Sequence, residues 1–184
     1  MSIKKLHLLF KSKQLVIKFF FSPFPRTYFG KIEINSLFYY TLPMEKIEER
    51  IAFVEELFTQ STNREEVYKR LMELGKTLPS LQEQKKTANN RIPGCQSITH
   101  LSVTLQKGRC IIEGDSDALI SKGLVYLVIS IYSGLSPKEI LLHKPTFLND
   151  YISAALSMNR SEGLGQMLLF LKRKAVEALQ KESI

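Results

Sequence analysis

Two cysteines, Cys95 and Cys110, are the residues best equipped for covalent chemistry, and their neighbours set them apart. Cys95 lies in Arg91-Ile92-Pro93-Gly94-Cys95-Gln96-Ser97, a turn that opens directly into an alternating apolar segment over 98–105. Proline followed by glycine permits backbone angles that a strand does not accept, so the spacing predicts a thiol on a loop at the head of a strand. The nucleophile in cysteine chemistry is the thiolate, which requires surroundings that favour deprotonation and leave a route of approach. Lys85, Lys86 and Arg91 are the cations that the local sequence offers. Cys110 alternates with Ile112 in a short run and reads as a small buried hydrophobe.

Other chemistries are poorly served. The chain has no Cys-x-x-Cys or His-Glu-x-x-His spacing for zinc, no Walker-type phosphate loop, no Gly-x-Ser-x-Gly and no dinucleotide fingerprint after a strand. A cysteine hydrolase needs a histidine beside its thiol. His7 lies in an atypical N-terminal stretch, His100 falls on the strand face opposite Cys95, and His143, near a helix end, reads as a surface residue. Asp115 and Asp117 read first as a helix cap and only second as an acid–base pair. Arg160, just before the last helix, reads as solvent-exposed.

The elements that position these groups follow from periodicity. Ile47, Ile51, Val54 and Phe58 form a helical stripe, and Val67, Leu71 and Leu74 predict a second helix over 63–74, opened by a Thr62/Glu65 capping box and stopped by Gly75. Residues 76–90 are polar and read as a loop delivering the chain to the cysteine turn. Leu101, Val103 and Leu105 alternate with Ser102 and Thr104, Gln106-Lys107-Gly108 turns the chain, and 109–113 returns as a short second strand, giving a β-hairpin. Residues 118–132 are apolar almost all round and predict a buried central helix ended by Gly134. A capping box with proline, Ser136-Pro137-Lys138-Glu139, opens the next helix. A further helix is expected over 146–156, and a last one, capped by Ser161, carries the stripe Leu164, Leu168, Leu171, Ala175 and Leu179. Helices around a small antiparallel sheet make an α+β fold.

The 184 residues suffice for one domain with a sizeable core. Their net charge of +8 would point to nucleic acid or an anionic membrane if it covered one face. Residues 1–43, however, hold seven Lys/Arg against one Glu and seven of the eleven Phe, so the rest is nearly balanced and neither partner is expected. Translation starting at Met44, a transit peptide and a signal peptide are three readings of that segment, and the lysines within it argue against a membrane span. The domain is therefore expected over 44–184, with 1–43 as an extension that is disordered or not translated. Two cysteines without a disulfide framework point to reduced thiols in the cytoplasm, or in an organelle if 1–43 is a transit peptide.

Three blocks in order, Ile92-Pro93-Gly94-Cys95-Gln96-Ser97, Gly114-Asp115-Ser116-Asp117-Ala118 with Lys122-Gly123, and Arg160-Ser161-Glu162-Gly163-Leu164, resemble the SufE family of sulfur-acceptor proteins. The resemblance extends over about 44–179. It implies a small antiparallel sheet packed against helices, the fold shared with IscU-type scaffolds. It also implies that Cys95 accepts persulfide sulfur from a SufS-type cysteine desulfurase, stimulates that enzyme and passes the sulfur to a SufBCD-type cluster assembly complex. On that reading the chain is no stand-alone enzyme and needs no cofactor, because the pyridoxal phosphate sits on the desulfurase. Gly94, Gln96, Ser97, Asp115 and Arg160 carry over as supporting residues. Where relatives often have tryptophan this chain has His100. The rival reading is an IscU-like cluster scaffold, which uses three cysteines where only one here lies in a suitable loop.

Overall fold

The computed structural model describes residues 46–182. The expectations for 1–43 and for the start at Met44 lie outside the described residues. Among the described residues six helices and one hairpin follow in order: α1 (Ile47–Glu56), α2 (Arg64–Thr77), β1 (Thr99–Gln106), β2 (Arg109–Ser116), α3 (Leu119–Tyr132), α4 (Pro137–Leu142), α5 (Ser153–Ala155) and α6 (Met158–Glu182). The α+β architecture expected from the sequence is what the chain adopts.

Helix α3 is the axis of the fold. Ten of its fourteen residues are buried, and it touches α1, α2, α6 and both strands. Side chains such as Leu124, Leu127, Val128 and Ile131 each remove a full aliphatic surface from water, worth roughly 2 kcal/mol apiece before chain entropy is set against it. The pattern that is apolar all round thus reports a helix surrounded on every side.

Gly75 does not stop α2, which runs on to Thr77. The reason is tertiary: α2 and α3 cross so closely that a Cβ on Gly75 would lie 2.3 Å from the Leu119 carbonyl oxygen, and one on Gly123 2.1 Å from that of Leu71. The cap of α2 is also displaced by one residue. Asn63 accepts from the Glu66 N–H, and the Glu66 carboxylate takes the Thr62 N–H and hydroxyl, a reciprocal cap where Thr62/Glu65 was expected. The Ser136/Glu139 capping box forms as expected.

The hairpin pairs Thr99 with Ser116 and Gln106 with Arg109 around a tight turn at Lys107 and Gly108. Its second strand is longer than predicted: Gly114, Asp115 and Ser116 are ladder residues, not a cap, and α3 begins without any side-chain cap. Leu101, Cys110 and Ile112 face the core, while His100, Ser102 and Asp115 are buried on the other face. Within the 76–90 loop, two single 3-10 turns, Glu83–Lys85 and Ala88–Asn90, bring up charged partners for that second face. The helix expected over 146–156 is instead a wide π-type turn, Phe147–Ile152, running into α5. Helix α6 starts earlier than predicted. Ser161 lies inside its first turn, its hydroxyl bonded to the Met158 carbonyl, and Ser157 accepts the Arg160 and Ser161 N–H groups at the helix start.

Candidate functional site

The cysteine turn leaves an isolated bridge between Arg91 and His100 and enters β1 at Thr99. Ile92 is buried and anchors the turn, while Pro93, Gly94 and Gln96 are exposed. Gly94 has φ +76°, a conformation side chains rarely adopt, and the Gln166 side chain from α6 lies against it. Cys95 is thereby placed between the loop and the first turns of α6. Its Sγ–H points to the Gly163 carbonyl at 3.6 Å, and a Cβ on Gly163 would sit 3.6 Å from the sulfur.

Ser97 begins a chain of hydroxyls that ties loop, hairpin and α3 together. Its Oγ donates to Ser121 Oγ at 2.8 Å and lies 3.1 Å from Thr99 Oγ1, which is 2.9 Å from Ser116 Oγ. Asp117 extends the ladder beyond β2: its N–H donates to the Ile98 carbonyl and its Oδ1 accepts the Ile98 N–H. These contacts hold the sequence around Cys95 from both sides.

A cleft of about 360 Å³ opens beside the thiol. Cys95, Gln96 and Ser97 line one side, Asp117, Ser121 and Leu124 the next, and Asn159, Arg160, Gly163 and Met167 of α6 close it. Arg160 is therefore a site residue and not a solvated one, with its guanidinium 5.9 Å above the centre of the Tyr68 ring. The Tyr68 hydroxyl in turn accepts the Ser157 N–H just before α6, so the helix start and Arg160 share one support.

Asp115 stands apart from this cleft, on the other face of the hairpin. Its carboxylate is 2.9 Å from Lys122 Nζ and 3.3 Å from Lys86 Nζ, and it accepts the Leu81 N–H. Burial pushes its pKa up, but the hydrogen bonds and charges of Lys122 and Lys86, with the Leu81 N–H, outweigh it and hold the carboxyl below its ordinary value. Asp115 thus fastens the 76–90 loop to β2 and α3, and reaches the thiol only by fixing the chain that leads to it.

The local cations are spent in the same way. Lys85 pairs with Glu113, Lys86 with Glu83 and Asp115, and Arg91 and Lys86 act on His100, whose pKa burial and these two charges push down. None of them is at the thiol. Burial instead pushes the Cys95 pKa up, with the Thr99 hydroxyl alone acting in the opposite direction, so the thiol at rest is neutral and sheltered. His100 faces away from Cys95, as its register predicts. His143 is half-buried and not a surface residue: its Nδ1 lies 2.9 Å from the Tyr132 hydroxyl, and burial lowers its pKa.

Cys110 is fully buried in β2, its backbone bonded to Leu135 and Gly134. Of the residues singled out from the sequence, Cys95, Gln96, Ser97 and Arg160 meet at the cleft, Gly94 shapes its loop, and Asp115 does not join them. Asp117 and Gly163, from the second and third blocks, join it, and Ser121, Asn159 and Met167 do so unannounced. The signals for Asp117 in the sequence are its place in the Gly114–Ala118 block and its pairing with Asp115, read first as a cap and second as an acid–base pair.

The family model for SufE, described as the Fe-S metabolism associated domain, matches residues 52–175. The chain belongs to the SufE family. That membership gives it a sulfur-transfer role in iron–sulfur metabolism and a cysteine desulfurase as partner. An uncharacterized SufE-like protein of Synechocystis sp. (strain ATCC 27184 / PCC 6803 / Kazusa) is 32% identical over 127 residues, 68% of this chain and 80% of that protein. The solution structure of a hypothetical protein from Thermus thermophilus superposes with a TM-score of 0.59 at 22% identity, covering 71% of this chain and 96% of that one, a likeness of fold. The cleft and the cysteine turn both lie inside the matched SufE segment. No described helix of this SufE protein is long and apolar enough to cross a membrane.

Proposed function

We propose that Cys95 is the sulfur acceptor of this SufE protein: it takes the outer sulfur of a desulfurase persulfide, stimulates that enzyme, and passes the sulfur on to a cluster assembly complex of the SufBCD type. The observation that carries this reading is the contrast in access between the two thiols, since Cys95 lines an open cleft and Cys110 has no exposed surface. In the transfer, the Cys95 thiolate attacks the outer sulfur of the donor. The donor's S–S bond breaks, a new one forms to Sγ, and the donor leaves as its thiolate, with no net oxidation.

Burial raises the Cys95 pKa and so lowers its thiolate fraction, and a cation brought up by the docked partner would speed the attack. A lowered thiolate fraction also slows oxidation of the thiol between deliveries. The pyridoxal phosphate belongs to the desulfurase, and the chain acts as carrier and activator rather than as a stand-alone enzyme. A scaffold of the IscU kind would need several ligands at once. Among the described residues, no three His, Cys, Asp or Glu side chains converge in a way that could hold a metal.

The test is the intact mass of the full chain after incubation with a cysteine desulfurase and cysteine. A gain of about 32 Da, removed by reductant and mapping to the Cys95 peptide, is expected. Cys95→Ser should gain nothing and fail to stimulate the enzyme, while unfolding within about 0.5 kcal/mol of wild type, because the site is a loop. Sulfur arriving on Cys95→Ser would overturn the reading.

A further inference from the structure

The cleft beside Cys95 is lined by two charged residues of opposite sign that form no ion pair with each other or with any other described residue. Arg160 rests on the Tyr68 ring and makes no ion pair with a carboxylate among the described residues. Asp117 receives the Ile98 N–H on Oδ1 and faces no cation among them. Other charges near the cysteine turn are paired: Asp115 has two lysines and Lys85 has Glu113. Half-buried Arg160 and exposed Asp117 line this one concavity together with Asn159, Ser97 and Ser121, and make a surface complementary to a ligand that carries both charges itself. Guanidinium suits a carboxylate, and a carboxylate suits an ammonium group. The volume of about 360 Å³ is that of a small-molecule site. Leu124 and Met167 supply an apolar wall for a short side chain.

We infer that this cleft binds a free α-amino acid whose side chain ends in sulfur, cysteine or its persulfide, with its carboxylate on Arg160, its ammonium on Asp117 and its sulfur toward Cys95. The inference rests on Cys95 being the sulfur-carrying thiol and adds a small-molecule exchange partner to it. In the exchange, the bound cysteine thiolate attacks the outer sulfur of Cys95–S–SH. The bond from that sulfur to Sγ breaks and a bond to the cysteine sulfur forms. Cys95 leaves as its thiolate, the proton stays on the transferred sulfur, and no oxidant or reductant is consumed. The same step run backwards loads Cys95 from free cysteine persulfide.

Three small disulfides separate recognition from mere access: L-cystine, which carries both charges, cystamine, which carries ammonium groups alone, and dithiodipropionate, which carries carboxylates alone. Each converts Cys95 to a mixed disulfide and releases one thiolate, followed by intact mass on the full chain with the adduct mapped to Cys95. With each rate divided by that of the same probe with a free thiol such as N-acetylcysteine, wild type should favour L-cystine about tenfold over either half-matched probe, one charge-assisted contact being worth about that factor. Arg160→Met should slow L-cystine and dithiodipropionate about tenfold and leave cystamine unchanged, with Arg160→Lys restoring only part of the loss. Asp117→Asn, which keeps an acceptor for the Ile98 N–H, should slow L-cystine and cystamine and leave dithiodipropionate unchanged. A variant that alters all three rates by one factor has only changed the exposure of the loop, and the inference falls. It falls equally if wild type shows no preference among the probes, in which case the two charges face a protein partner. Desulfurase-dependent sulfur on Cys95, measured in parallel, stands or fails independently of either result.

Discussion

The two cysteines sit at opposite ends of one hairpin and teach what a sheet of this size does with a thiol. Cys110 is a ladder residue: its N–H donates to Leu135, its carbonyl accepts from Gly134, and its side chain has 0% exposure. Cys95 precedes the ladder, on a turn held by buried Ile92, the Ser97 hydroxyl chain, the Asp117–Ile98 bonds and the touch of α6. The same functional group is thus a core filler where backbone and packing are both complete and lines an open cleft where neither is. Burial raises the Cys95 pKa, so it is access and not heightened acidity that sets this thiol apart from the buried Cys110.

The sharpest way to break that comparison is to alkylate the native chain with a small reagent. Cys95 should react directly, and Cys110 at least about a thousandfold more slowly, because its exposure requires opening of the core. Since burial raises the Cys95 pKa, its thiolate fraction at neutral pH lies below that of an unfolded thiol, so its rate should climb with pH and reach half-maximum above the midpoint seen for the denatured chain. A midpoint at or below the denatured value would mean that a cation reaches the sulfur in solution.

A smaller effect is expected at Asp115, which braces the route to Cys95 without touching it. Asp115→Asn should cost about 2–3 kcal/mol near neutral pH by leaving Lys122 and Lys86 without their carboxylate. The folded carboxyl has a lowered pKa, so its contribution is present above the unfolded value and is lost as pH falls through the folded one. Urea midpoints for wild type and variant should therefore differ at about pH 7 and converge well below about pH 4. Equal differences at both would show that Asp115 acts by packing and not by charge.

The smallest effect belongs to Cys110→Ser. A hydroxyl placed in that core position should cost about 1–2 kcal/mol in thermal or urea unfolding and leave sulfur acceptance on Cys95 intact. Loss of acceptance in a well-folded Cys110→Ser protein would replace the contrast with a two-thiol relay.

The amino-acid order alone determined the helical stripes, the hairpin around Lys107-Gly108, the Ser136 capping box and the identity of α3 as a helix enclosed on all sides, because periods of 3.6 and 2 and the chemistry of caps and turns are local. It also singled out Cys95, through the proline and glycine that force a loop there, and it set His100 on the far face through strand alternation alone. Tertiary structure decided what crosses between segments. Gly75 read as a helix end because glycine usually ends helices, and it is mid-helix because another backbone passes within reach of its missing Cβ. Arg160 looked solvated in the sequence and lines the cleft because α6 closes over the cysteine loop from residues far along the chain. Asp115 and Asp117 share a block, yet the ladder sends one to two lysines behind the hairpin and leaves the other at the cleft beside Cys95. Lys85 and Lys86 lie near the thiol in sequence, but ion pairs with Glu113 and Asp115 draw them away. Charge follows partners in space, and partners are set only when the chain has folded.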